Sequence, residues 1–242
     1  MILITRPIND AIELQKQLKK KNIQSLIDPL TSFEFINRKI KFNKNDIFIC
    51  ASQRSVESLA RLKNINNIFL IVVGRKVEKI LKQNNFTNIL FTALDTKELI
   101  KWMRKKNNNK KHFIYLSGNI INEEFVTDLK KFKISFRRKI IYQTILKKTL
   151  NRETIKNLKQ KKITSVAFYS NSSVKVYFKL LKKYKISHVL VDQTFFVLSS
   201  RISNSCKKYK FRPSVIKISP RPEQSSMISL IGSSKRLKYI RK

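Results

Sequence analysis

The feature that most constrains this chain is an alternation. Short apolar runs of strand length are followed, almost end to end, by segments of helix length. The runs lie at 1–5, 24–28, 46–51 (DIFICA), 69–73 (FLIVV), 88–91 (NILF), 112–117 (HFIYLS), 135–145 (SFRRKIIYQTI), 165–170 (SVAFYS), 195–199 (FFVLS) and 214–218 (SVIKI). Helices are predicted at 54–63, 75–84, 96–105, 121–131, 152–161, 173–183, 200–209 and 222–231. An earlier helix opens at Pro7, where a missing N–H costs nothing, and carries a rough apolar stripe of Ile12, Leu14, Leu18 and Ile23. Asp95 and Glu98 stand at capping-box spacing ahead of another. Strands alternating with helices in this way predict an α/β fold of parallel sheets covered on both faces.

The pattern repeats within the chain. SQRSVESL at 52–59 matches SNSSVKVY at 170–177, and VGRKVEKILKQNNF at 73–86 matches LSSRISNSCKKYKF at 198–211, ending on Phe86 and Phe211. Each segment follows an apolar strand and opens a helix. Two similar parallel-sheet α/β domains follow from this, rather than one long sheet. The first strand–helix–strand, 1–28, has no sheet of its own and is expected to complete the C-terminal unit. That makes 1–34 with 146–242 a discontinuous domain and 35–145 a domain inserted into it. The crossings, LTSFEFINR and RKIIYQTIL, both read as extended and predict a two-stranded connector.

Charge narrows the function classes less than its size suggests. There are 53 Lys and Arg against 15 Asp and Glu, a net charge of +38. Such an excess suits nucleic acid or an acidic substrate drawn in by the field of the whole protein. Yet the basic residues are spread along the chain and are mostly Lys, Asn, Ile and Phe abound, and Gly occurs three times. An AT-rich coding sequence produces that bias by itself. No Arg-rich helix, RNA-binding aromatic motif or zinc finger is visible, so a nucleic-acid partner is not expected. No run reaches the roughly 18 apolar residues of a membrane span, and MILITRP reads as a first strand rather than a signal peptide. A cytoplasmic protein is expected, which also argues against a periplasmic-type binding protein. Cys50 and Cys206 suggest no disulfide framework. His112 and His188 stand without a partner at metal-ligand spacing and read as strand-edge imidazoles, so no metal is expected.

Catalytic motifs of the common kinds are missing. Three separated glycines exclude a Gly-x-Gly-x-x-Gly or Walker loop, and carboxylates are too few for paired acid–base work. What remains are the strand-to-helix turns: Ser52-Gln53-Arg54, Gly74-Arg75-Lys76, Ser117-Gly118-Asn119, Ser170-Asn171-Ser172 and Ser199-Ser200-Arg201. The C-terminal edge of a parallel sheet is where ligands bind, and each following helix presents unpaired N–H groups there. Small polar residues at such a turn serve equally to cap the helix or to hold an anion.

Read in order, ILITRP (2–7), PLTSFEF (29–35), IFICASQRSVESL (47–59), IVVGRKVEKIL (71–81), IYLSGN (114–119), IIYQT (140–144) and VAFYSNSSVKVYF (166–178) resemble the uroporphyrinogen-III synthase family over nearly the full length. The resemblance implies two α/β domains, a two-stranded connector, no cofactor and a monomer. It also implies the reaction: hydroxymethylbilane, a linear tetrapyrrole with eight carboxylates, loses water and closes into a ring with ring D inverted. The product is then expected in a cleft between the domains, held largely by backbone amides at the five turns and near Arg6. The family's tyrosine in its Tyr-x-Thr segment corresponds to Tyr142. A phenol is protonated at neutral pH and can donate to the leaving hydroxyl, although a tyrosine here could equally be a packing residue. The family's Gly-x-x-Thr-Ala turn departs in both halves. Val77 and Ile202 stand at the threonine positions, and Ser199 stands at the second glycine. Arg75, Lys76 and Arg201 lie close enough to compensate; a weakened relative is the alternative within the family, and a basic nucleic-acid binder the alternative outside it.

Overall fold

A computed structural model of the chain describes residues 1–36, 40–62, 68–106, 112–121, 123–209, 213 and 215–239. Its elements run β1 (Ile2–Ile4), α1 (Ile8–Lys19), β2 (Ser25–Ile27), β3 (Thr31–Phe35), β4 (Asp46–Cys50), α2 (Gln53–Leu59), β5 (Phe69–Val73), α3 (Arg75–Gln83), β6 (Ile89–Ala93), α4 (Thr96–Lys106), β7 (His112–Gly118), α5 (Glu123–Lys131) and β8 (Phe136–Leu146). They continue with α6 (Arg152–Lys159), β9 (Ser165–Phe168), α7 (Asn171–Lys183), a 3-10 helix at Ser187–Asp192, β10 (Thr194–Val197), α8 (Ser200–Lys207), β11 (Val215–Ile218) and α9 (Gln224–Tyr239). The chain divides into two compact units, Met1–Ser32 with Ile145–Lys242, and Phe33–Thr144.

The discontinuous unit is built on a five-stranded sheet in the order β11-β10-β9-β1-β2, parallel throughout. Its three central strands, β1, β9 and β10, are buried on both faces, and their side chains alternate between two cores, as the pleat requires. Leu3, Val166, Phe168, Phe195 and Val197 pack with α6, α7 and α8. Ile2, Ile4, Ala167 and Phe196 pack with α1 and α9. The apolar stripe of α1 is Ala11, Leu14 and Leu18, while Ile12, counted toward it from the sequence, is exposed. Pro7 is the residue before the first helical turn, not within it; its carbonyl accepts from Ala11.

The continuous unit holds six strands in the order β3-β8-β7-β4-β5-β6. From β8 to β6 all are parallel. β3 runs against β8: Lys147 donates to Leu30 at one end of the pair and Ile36 to Ile141 at the other. The chain passes between the units within these two strands. Phe48, Cys50, Leu70, Val72, Ile114 and Leu116 face α2 and α3. Ile47, Ile49, Ile71, Phe113 and Tyr115 face α4 and α5. Each fully buried Phe, Leu or Ile contributes about 1.5–3 kcal/mol by leaving water.

Several details depart from the sequence reading. The last helix does not stop near 231; α9 continues to Tyr239. Ser234 holds that continuation, its Oγ donating to Leu230 O and accepting from Lys217 Nζ at 2.8 Å each. At α4 the capping box is offset by one residue. Asp95 accepts from the Glu98 N–H as expected, but the Glu98 carboxylate reaches back to the N–H of Leu94 rather than of Asp95. His112 does begin a strand, whereas His188 lies in the 3-10 helix; both are exposed. Phe211, the second aromatic of the repeat, lies outside the described residues. No helix among the described residues is long and apolar enough to cross a membrane.

Candidate functional site

The internal repeat survives as geometry. Ser52 precedes α2 with φ −152° and ψ 150°, and Ser170 precedes α7 with φ −152° and ψ 151°. Each hydroxyl accepts from the backbone N–H three residues on, Ser55 or Ser173, at 3.1 Å. In each case that third residue is itself a serine whose hydroxyl meets the cap, at 3.3 Å for Ser55 and 2.9 Å for Ser173. A Ser-x-x-Ser spacing thus satisfies one orphan helix donor and leaves a small polar cluster at the strand end. Ser170→Ala is expected to lower the stability of its unit by about 1 kcal/mol. Denaturant unfolding reads this directly, and an unmoved midpoint would mean that the cap contributes nothing.

The second pair of turns is less alike. Gly74, ahead of α3, has φ +92°, a left-handed setting that a side chain resists. Ser199, ahead of α8, has φ −157° and ψ 161°, extended backbone open to any residue. Glycine is therefore required in one half only, which accounts for serine at the other. Neither turn has a side-chain cap. Arg75, Lys76, Ser200 and Arg201 are exposed at these helix starts. Val77 and Ile202 turn inward, 8% and 6% exposed, into the cores beneath.

Ser117-Gly118-Asn119 is not a strand-to-helix turn of the same kind. Ser117 and Gly118 are the buried end of β7, and α5 begins only at Glu123. What the sequence took for a cap is a strand end gripped by β8. Arg138 donates to Ser117 Oγ at 2.8 Å, Gly118 O at 2.6 Å and Asn119 O at 3.1 Å. Asn119 in turn donates its N–H to Tyr142 O at 3.2 Å and accepts from Thr144 N at 2.8 Å.

Tyr142 sits where the β7–β8 register slips. Ser117 faces Ile140, but Gly118 faces Tyr142, so β8 carries one extra residue. A bulge of this kind re-aims side chains. Ile141 and Tyr142, adjacent in sequence, both point into the α2–α3 core, at 2% and 8% exposure. The Tyr142 ring lies against the bare Cα of Gly118; a Cβ there would come within 2.4 Å of the ring. Phe33 meets it edge-on, centroids 6.0 Å apart. Its hydroxyl is 3.2 Å from Ser52 Oγ. Among the predicted residues, the fold thus brings Ser52, Gly118, Asn119 and Tyr142 together within the continuous unit. Gln53 and Arg54 flank them, both bonded to Glu57, with the Arg54 guanidinium 4.7 Å above the Phe33 ring.

In the discontinuous unit Arg6 leaves the end of β1 and lies 4.2 Å above the Tyr169 ring, held by Gln224 and by Asp10 at 3.4 Å. Burial pushes the Tyr169 phenol up to about 12, which keeps it neutral. Ser170, Asn171 and Ser172 follow it, half-buried; Asn171 Oδ1 is buried without a hydrogen-bond partner among the described residues. Arg138, Tyr169 and Gln224 were not singled out from sequence. Alternation along β8 does distinguish the two neighbouring arginines: Arg137 binds the buried Asp46 at 2.9 Å, while Arg138 takes the other face. No group of His, Cys, Asp and Glu among the described residues is arranged to hold a metal ion. Cys50 is fully buried, and burial pushes its thiol up to about 12, so it is unreactive as a nucleophile.

Two doubly wound α/β units with serine-capped helix starts at their strand ends, and a tyrosine seated in one of those edges, define a two-domain α/β protein with a polar strand-end site. The family model of uroporphyrinogen-III synthase HemD matches residues 12–229, and the chain belongs to that family. Solved structures with the same fold include uroporphyrinogen-III synthetase from Helicobacter pylori, 18% identical with a TM-score of 0.64 over 96% of this chain and 98% of that one. A mutant uroporphyrinogen III synthase from Thermus thermophilus is 12% identical with a TM-score of 0.59 over 97% of each. No curated protein sequence matches the chain significantly.

Proposed function

We propose that this chain is an active uroporphyrinogen-III synthase: a cytoplasmic, monomeric lyase that needs no cofactor, has no nucleic-acid partner, and converts hydroxymethylbilane to uroporphyrinogen III. The observation that carries the reading is the family match along residues 12–229. The helix starts supply binding. Backbone N–H groups at the beginnings of α3, α7 and α8 each suit a carboxylate, a charge-assisted bond contributing about 1.5–3 kcal/mol. Tyr142 supplies the proton. The C–O bond of the hydroxymethyl group breaks as the pyrrole pushes in electrons, and the phenolic proton leaves with the hydroxyl as water. The phenolate recovers a proton when ring closure restores the aromatic pyrrole. Ser52 Oγ, 3.2 Å away, orients the phenol and can steady the phenolate.

The test is genetic. Expressed in a bacterium lacking its own enzyme, the chain is expected to restore growth without added haem; no growth at normal protein levels would contradict the proposal. Charge reversal at Arg75 and Lys76 is expected to lower kcat/KM by about tenfold at low salt and to do nothing at high salt, because exposed charges steer a polyanion only while unscreened. An unchanged kcat/KM at low salt would reduce both side chains to a solvated helix start. One observation favours a second reading, a slower relative: Val77 and Ile202, at the positions where the resemblance implies threonines, turn apolar side chains into the cores.

A further inference from the structure

We infer that Arg138 is a positioning residue for the Tyr142 hydroxyl, a role that rests on the proposed use of Tyr142 as proton donor. The turn at Ser117–Asn119 and strand β8 are tied at two points, one on either side of the bulge. Ahead of it, the Arg138 guanidinium binds Ser117 Oγ, Gly118 O and Asn119 O at once. Beyond it, Asn119 holds Tyr142 O and the Thr144 amide. Between the two ties lies the register slip that turns Tyr142 inward. Its ring rests on Gly118, the middle residue of the turn that Arg138 clamps. Arg138 therefore sets the height of the surface on which the ring lies, and so the reach of the phenol toward Ser52 Oγ.

The three acceptors demand a planar fork with several donors. Lys offers a single flexible ammonium and cannot replace it geometrically. Arg138 is half-buried, and two of its three acceptors are backbone carbonyls at the end of β7. Nothing in this arrangement requires Arg138 to touch substrate. Its effect is expected in kcat rather than KM, because a displaced proton donor weakens the transition state while leaving carboxylate binding at the helix starts intact.

The decisive experiment is a double-mutant cycle on the full chain with hydroxymethylbilane as substrate: wild type, Arg138→Ala, Tyr142→Phe and the double variant, with Arg138→Lys as a fifth protein. Folding of each is verified by far-UV circular dichroism at the assay temperature. Arg138→Ala is expected to lower kcat by about tenfold to a hundredfold, the scale of an ångström-sized misplacement, with KM within twofold. Arg138→Lys is expected to recover little of it. The double variant is expected to be no slower than Tyr142→Phe alone, since removing the hydroxyl removes what Arg138 positions. Guanidinium ion added to Arg138→Ala is expected to restore part of the rate, and to do nothing for the double variant. Factors that multiply in the double variant would overturn the proposal while leaving the reaction in place. Tyr142→Phe at the wild-type rate would overturn both this role and that of Tyr142. A folded wild type that yields only the uninverted isomer, at the rate seen without protein, would remove the reaction, and this role with it.

Discussion

Tyr142→Phe is expected to reduce kcat by about a hundredfold or more, the usual contribution of a positioned general acid, while KM changes little. The substitution removes one oxygen and keeps the ring. Packing against Gly118 and the edge-on contact with Phe33 therefore persist, and unfolding should shift only by the lost hydrogen bond to Ser52, about 1 kcal/mol. Steady-state kinetics beside a denaturant titration separates the two effects. A variant that turns over as fast as the parent would reduce Tyr142 to the packing residue that the sequence equally allowed.

Gly118→Ala should be the most damaging single-methyl change in the continuous unit. The added Cβ would fall 2.4 Å from Cε2 and 2.8 Å from Cζ of Tyr142. No backbone preference is at issue here; the requirement for glycine is steric. The ring must lift or the strand end must move, and both routes carry the phenol away from Ser52. Overpacking of this kind costs about 1–3 kcal/mol, and kcat is expected to fall more than tenfold with it. Gly74 offers the contrast. A Cβ there meets nothing within 4 Å, so Gly74→Ala acts through its φ of +92° and not through a neighbour. Measuring both variants tests the distinction: if Gly118→Ala is as stable and as active as the parent, the Tyr142 ring does not rest on that residue.

Much of the architecture was legible because its causes are local. Runs such as FLIVV and SVAFYS read as strands largely buried on both faces, and the helices between them force parallel pairing. The Ser-x-x-Ser match between 52–55 and 170–173 was visible as pattern and proved to be the same cap to within a degree of backbone torsion. What could not be read depends on partners distant in sequence. Ser117-Gly118 looks like the other turns because a small polar pair ends an apolar strand in each case; only β8, some twenty residues on, shows that here the pair is clamped rather than capping. The bulge at Ile141 was hidden for the same reason. IIYQT reads as ordinary alternation, and one surplus residue appears only when β8 is laid beside β7. Arg138 and Arg137 are identical letters in sequence, and their different partners follow from facing opposite sides of a strand. The strand ends of the discontinuous unit hold Arg6 against Tyr169 through Gln224, more than two hundred residues away, a contact without local signature.

The central claim, that helix starts and one phenol steer a flexible polyacid into a single closed form, is tested most directly by isomer composition. Purified protein is given hydroxymethylbilane, the products are oxidised to uroporphyrins, and the isomers are separated. Spontaneous closure gives isomer I, with ring D uninverted. The account predicts isomer III as the dominant product, formed faster than the uncatalysed reaction. Isomer I alone, at the rate seen without protein, would contradict it.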